Sequence, residues 1–186
     1  KYSMITWENY FTYNRDFKEK HSLGITLLQS IQQDLEETLE ASVQNTPSDV
    51  LKYYDLASGL LIDGGGSDYV KWNMTSFMGR INYNYLGRYL LTVSARYDGS
   101  SRLADGHKWV LFPSAALAWR ISDESFMKSL SWVDNLKLRL GYGKTGNSSV
   151  DPYQTRGKLG KKRYVYNNGA TEIMGYAPSL MANSTL

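Results

Sequence analysis

The side chains that most readily do chemistry are few in this sequence, and their spacing works against a catalytic centre. There is no Cys, which removes disulfides, thiolate metal sites and cysteine nucleophiles together. His21 and His107 lie far apart, and neither has a partner at metal-ligand spacing. Asp123-Glu124 is the carboxylate pair closest to a glycosidase arrangement, but neighbouring side chains on an extended chain point oppositely; Ser122-Asp123 reads instead as a helix cap before Phe126. Gly64-Gly65-Gly66-Ser67 lacks the Lys-Ser or Lys-Thr of a phosphate loop and reads as a flexible loop tip. Gly141-Tyr-Gly-Lys-Thr-Gly146 has the wrong spacing for a phosphate grip and reads as a strand end. The expectation is no catalytic residue, no metal and no cofactor: a protein that is not an enzyme.

Residues that bind rather than react are more plentiful. Tyr53, Tyr54, Trp72 and Trp109 stand in or beside long connections, where rings stack on sugar faces or settle at a bilayer interface. The only basic cluster is Arg156, Lys158, Lys161, Lys162 and Arg163, which reads as a solvated loop. A net charge of +3 points to no nucleic-acid partner.

The elements that must position these residues announce themselves by period two. Ile5, Trp7, Phe11 and Tyr13 alternate with Thr6, Glu8, Thr12 and Asn14, and Leu23, Ile25 and Leu27 alternate with Gly24 and Thr26. The same pattern runs through Phe77–Tyr85, Tyr89–Tyr97, Leu111–Ile121 and Leu136–Tyr142, giving about six strands of roughly ten residues each, the length that crosses a bilayer at a tilt. Phe17–Lys20 and Leu86–Arg88 are short turns, whereas 36–75, 98–109 and 146–186 are long connections. That asymmetry is the one outer-membrane barrels show. Aromatic content of 13%, with 15 Tyr, suits such strands. Mean hydropathy of -0.44 and the lack of any apolar run near 18 residues exclude a transmembrane helix but not a barrel.

One stretch competes. Leu27, Ile31, Leu35, Leu39 and Val43 fall four apart among Gln and Glu, the spacing of an amphipathic helix over 26–43. Pairing inside a complete barrel favours strand from 22 to about 35, while an isolated piece leaves the helix free to form. Short helical pieces are also expected at Ser48–Ala57, with Val50, Leu51 and Tyr54 on one face, and around Phe126, Met127 and Leu130. The chain opens at Lys1 without a leader and stops at Leu186 without a closing element, the pattern of a fragment or processed piece.

Three segments together resemble one family: Ser76-Phe-Met-Gly-Arg-Ile-Asn-Tyr-Asn-Tyr85 running into Arg88 to Arg102 with its Asp98-Gly99-Ser100-Ser101-Arg102 string, Trp109-Val-Leu-Phe-Pro-Ser to Trp119-Arg-Ile-Ser122, and Leu136-Lys-Leu-Arg-Leu-Gly-Tyr-Gly-Lys-Thr-Gly-Asn147. They are similar to the barrel of SusC/RagA-like TonB-dependent outer-membrane transporters of Bacteroidetes, over most of residues 3–154. The resemblance implies an all-β antiparallel meander that is a slice of a 22-stranded barrel in the bacterial outer membrane. Residues 1–186 would then be part of the barrel domain, without the plug or the remaining strands. It implies active import of oligosaccharides or peptides, with a SusD-like surface lipoprotein, the TonB complex and outer-membrane lipid as partners. The alternative reading is a soluble all-β carbohydrate-binding module.

In a barrel the Leu/Ile/Tyr faces meet lipid, and Arg80, Arg96, Arg120 and Arg139 fall on the polar, lumenward faces. On the lipid face at mid-membrane each would cost roughly 2–4 kcal/mol. Asp98-Gly99-Ser100-Ser101-Arg102 reads as a rigid turn, with Gly99 at positive φ and Arg102 paired to Asp98.

Overall fold

The computed structural model describes the chain apart from residues 49, 51, 60, 131, 148–149, 167–170 and 184–186. Six strands form one antiparallel meander in chain order: β1 (Tyr2–Phe17), β2 (His21–Gln44), β3 (Leu61–Tyr85), β4 (Tyr89–Ser100), β5 (Trp109–Arg120) and β6 (Lys137–Gly143). A separate hairpin pairs β7 (Lys158–Tyr166) with β8 (Thr171–Leu180).

Directly paired residues share a face, so the register carries each face across the whole sheet. The rows Tyr13-Ile25-Ile81-Val93-Ala115-Tyr142 and Arg15-Leu23-Tyr83-Leu91-Leu117-Leu140 lie on one face. Between them, on the other face, lies Asn14-Gly24-Asn82-Thr92-Ala116-Gly141; beside it runs Thr12-Thr26-Arg80-Ser94-Ser114-Gly143. The polar face is not uniform, since Leu28, Met78 and Phe112 also fall on it.

Among the described residues no second layer of sheet or helix covers this sheet. The accessible surface of the chain is 14474 Å², where a folded water-soluble monomer of this mass exposes about 9,000 Å². Ala104 is the buried hydrophobic residue among those described, while Phe11, Leu27, Ile81, Leu111, Leu117 and Leu140 stand exposed along the apolar face. An exposed apolar face of this extent needs a nonaqueous neighbour.

Rings border that face at both ends. Near the short turns Tyr85 stacks on Tyr89 at 6.2 Å and Tyr89 on Trp119 at 6.3 Å; near the long connections Trp109 stacks on Tyr97 at 4.8 Å and Phe77 at 6.3 Å. Trp109 and Trp119 are the two rings that β5 places on this face. At about 3.3 Å per residue and a tilt near 40°, the span between them stands about 25 Å tall, the height of a barrel's apolar band.

The two hairpin turns are tight and primed. Lys18 and Glu19 take φ 50° and 56°, Leu86 and Gly87 take φ 56° and 69°, the left-handed pair that matches strand twist. The N–H of Leu86 reaches the carbonyl of Lys20 at 2.7 Å, and that of Arg120 the carbonyl of Arg88 at 2.8 Å, tying neighbouring hairpins together.

Several expectations need correction. Residues 26–43 are strand throughout, with a register shift between Ala41 and Val43. A spacing of four is also a multiple of the strand period, so Leu27, Ile31, Leu35, Leu39 and Val43 all share one face. β2 and β3 continue as a long two-stranded arm, which cuts the expected 36–75 connection to 45–60. Gly64–Ser67 is therefore no loop tip but part of β3.

The helical pieces are 3-10 turns, at Lys52–Tyr54, Leu56–Ser58, Ile121–Asp123 and Gln154–Arg156. Val50 and Tyr54 are exposed, and Leu51 lies outside the described residues. The Ser122-Asp123 cap does not form, because Asp123 faces Arg120 at 3.4 Å and the chain proceeds by single i→i+3 bonds at Met127 and Leu130. The basic cluster is not a loop: Lys158, Lys161, Lys162 and Arg163 lie on β7, where Arg163 faces Glu172 at 3.6 Å.

Candidate functional site

The alternation places Arg80, Arg96, Arg120 and Arg139 on the same face, opposite the aromatic-bordered one; Arg139 joins it by pairing with Ala118. They are not alike in their partners. Arg96 holds Asp98 through Nε at 2.7 and 3.0 Å and donates to Ser76 at 3.2 Å, beside a serine only 1% exposed. Arg120 lies by Asp123 and donates to the carbonyl of Gly87 at 3.4 Å. Arg80 and Arg139 have no ion-pair partner among the described residues. The wall thus carries both satisfied and free cations facing the same space.

The Asp98-to-Arg102 string is built differently from its sequence reading. Asp98, Gly99 and Ser100 belong to β4. Gly99 is not at positive φ; it is glycine because an added Cβ would meet the Trp109 ring at 2.7 Å. Asp98 pairs with Arg96, while Arg102 lies over the Trp72 ring at 3.8 Å. Ser101 bridges to β3: its Oγ accepts from the Asn73 N–H at 2.9 Å, and its own N–H reaches the Asn73 carbonyl at 3.0 Å. Ser100 Oγ accepts from the Arg102 N–H at 3.3 Å.

The four candidate stacking rings separate. Tyr53 and Tyr54 pack together at 4.4 Å with their hydroxyls bonded at 3.0 Å, both exposed in the 45–60 connection. Trp72 sits on the arm, on the polar face, under Arg102. Trp109 lies on the apolar face among Tyr97 and Phe77, in the position of a bilayer-interface ring.

At the short-turn end, Glu124 collects Tyr89 Oη at 2.6 Å, Trp119 Nε1 at 3.1 Å and Arg88 at 3.2 Å. Those donors, Tyr89 first and then Trp119, hold its carboxyl below the usual glutamate range. This cluster fastens the 121–136 connection to the ring border, and the sequence signalled it only through a carboxylate just after a strand of aromatics. His21 is bonded to Tyr83 at 2.6 Å, and no group of three or more metal-capable side chains occurs among the described residues.

Known proteins share this fold. The family model described as TonB dependent receptor-like, beta-barrel matches residues 2–181. TonB-dependent receptor P39 of Formosa agariphila is 33% identical over 179 residues, 96% of this chain and 17% of that protein. TonB-dependent receptor SusC of Bacteroides thetaiotaomicron is 47% identical over 77 residues, covering 41% of this chain and 8% of that protein. The structure of the RagAB peptide transporter overlays with TM-score 0.84 at 24% identity, covering 100% of this chain and 20% of that one. The chain spans about a sixth of the length of the first two curated relatives. Its relatives are receptors and transporters rather than enzymes. The chain, a one-layer sheet with a ring-bordered apolar face about a bilayer tall, belongs to the TonB-dependent receptor-like β-barrel family of the outer membrane and is similar to SusC and to the RagAB transporter.

Proposed function

We propose that residues 1–186 form part of the wall and outer rim of a barrel that imports oligosaccharides or peptides across the outer membrane. In this reading the plug and the other strands are supplied by the rest of the transporter, a SusD-like surface lipoprotein delivers the ligand, and the TonB complex energises release. The observation that carries the proposal is the two-faced sheet, with rings bordering one face and Arg80, Arg96, Arg120 and Arg139 on the other; in this reading the first meets lipid and the second lines a watery path. The RagAB peptide transporter and the SusC relative support the nutrient class. A soluble carbohydrate-binding module does not fit a sheet with its apolar face uncovered.

The test is deletion of the gene that encodes these residues, followed by growth on single oligosaccharides and on defined peptide mixtures. Loss of growth on one nutrient, restored by the intact gene, is expected. Unchanged growth on every nutrient tested, in cells that normally make the protein, would overturn the proposal.

A further inference from the structure

Ladder pairing between β3 and β4 ends at Met74 with Ser100, and Ser101 reaches one residue further to Asn73; beyond it β3 runs on along the arm with one edge open at the Lys71 backbone. Tyr153 closes that edge. Its hydroxyl accepts from the Lys71 N–H at 3.0 Å and donates to the Lys71 carbonyl at 3.1 Å, satisfying both backbone groups where β4 is missing. Tyr153 does so from φ 66°, a conformation that costs a non-glycine residue about 1–2 kcal/mol. The clamp holds the 152–156 segment across from Ser101-Arg102 and leaves a cleft of about 260 Å³ lined by Tyr69, Lys71, Trp72, Arg102, Tyr153 and Arg156.

The charges of this cleft do not balance. Arg102 and Arg156 have no ion-pair partner among the described residues, while Lys71 serves the clamp through its backbone and falls on the strand face opposite Trp72. The Arg102 guanidinium lies over the Trp72 ring at 3.8 Å, and its Nε is buried without a hydrogen-bond acceptor. Asp105 is the carboxylate that Arg156 feels, and it is engaged by Lys108, which holds it below its usual range first through their hydrogen bond. A guanidinium pre-positioned on an indole loses little freedom on binding an oxyanion, and an acceptor here repays a buried donor that otherwise goes unmet.

We propose that this cleft binds an oxyanion, carboxylate or sulfate, carried by the ligand, with the aromatic walls seating the group that bears it. The proposal rests on the transport reading, since the cleft lies at the long-connection end that faces the outside in that reading.

The test uses the intact transporter in detergent and calorimetric titration with three anionic probes, each beside its neutral counterpart. They are a uronate tetrasaccharide, a sulfated galactan tetrasaccharide free of uronate, and a glutamate-rich pentapeptide. At least one anionic probe should bind about tenfold or more tightly than its neutral partner, and weaken by about tenfold or more in Arg102→Gln. Arg156→Gln should weaken it as well, Lys18→Gln should not, and added salt should reduce the difference. The probe that responds names the source of the anion. Equal binding of charged and neutral probes, no binding of any probe, or wild-type affinity in folded Arg102→Gln and Arg156→Gln would each overturn the proposal. Cognate uptake that survives both substitutions would sink the cleft alone, whereas anion binding without any growth defect on deletion would sink the transport reading alone.

Discussion

Ala115 and Ala116 are successive residues of β5 that differ in little except the face they occupy. Ala115 pairs with Val93 and Tyr142, Ala116 with Thr92 and Gly141. Both lie between the ring positions Trp109 and Trp119, well inside the apolar band. Ala115→Arg sets a guanidinium against lipid near mid-membrane, at a cost of about 2–4 kcal/mol, or about 30- to 700-fold in the folding equilibrium. Ala116→Arg places it on the face that already holds Arg80 and Arg139, beside Gly141, where an added Cβ would meet nothing within 4 Å. Its cost should stay under about 1 kcal/mol, chiefly like-charge repulsion in a watery space. The assay is urea unfolding of the intact barrel in phospholipid vesicles, read by tryptophan fluorescence. Equal costs, or a larger one for Ala116→Arg, would refute the assignment of the two faces.

Three further outcomes follow from the contacts. A double-mutant cycle on Asp98 and Arg96 should give a coupling of about 0.5–1 kcal/mol, while Asp98 with Arg102 should give about zero; unfolding midpoints check both. Gly99→Leu should displace the Trp109 ring it abuts and cost about 1–3 kcal/mol, seen as earlier loss of heat-modifiable mobility on gels. Because its folded pKa is depressed, Glu124 stabilises the barrel above the ordinary glutamate value and loses that contribution as pH falls through its lower folded value, so wild type should weaken below about pH 4.3. Glu124→Gln should be less stable at neutral pH and should flatten that acid limb, as measured by unfolding midpoints between pH 7 and pH 3.

Most of the sheet was legible because alternation is a direct image of two unlike solvents. β4 and β5 read plainly, and so did the shared face of the four arginines. The arm was hidden because Gln29, Gln33 and Glu37 break the alternation, leaving apolar residues every fourth position, where helix and strand look alike. Lys158–Tyr166 was missed because a strand exposed on both faces has no period to display. The partners of Asp98 and Arg102 were invisible for another reason. Sequence proximity suggested they pair, but register set Arg96 beside Asp98 on one face, and the end of β4 brought Arg102 to Trp72. The cleft depends on Tyr153 reaching a β3 residue 82 positions away, which no local pattern records.

The central claim is that this sheet stands in the outer membrane with its short turns inside and its long connections outside. Residues 1–186 contain no Cys, so in a transporter whose other thiols have been replaced a single introduced thiol reports its own position. Gly65→Cys on the arm and Glu19→Cys in the β1–β2 turn, made in the intact transporter, should be exposed to a membrane-impermeant maleimide on whole cells. Labelling at 65 with protection at 19 until the outer membrane is permeabilised is the expected result. Labelling at 19 with protection at 65 would contradict the account.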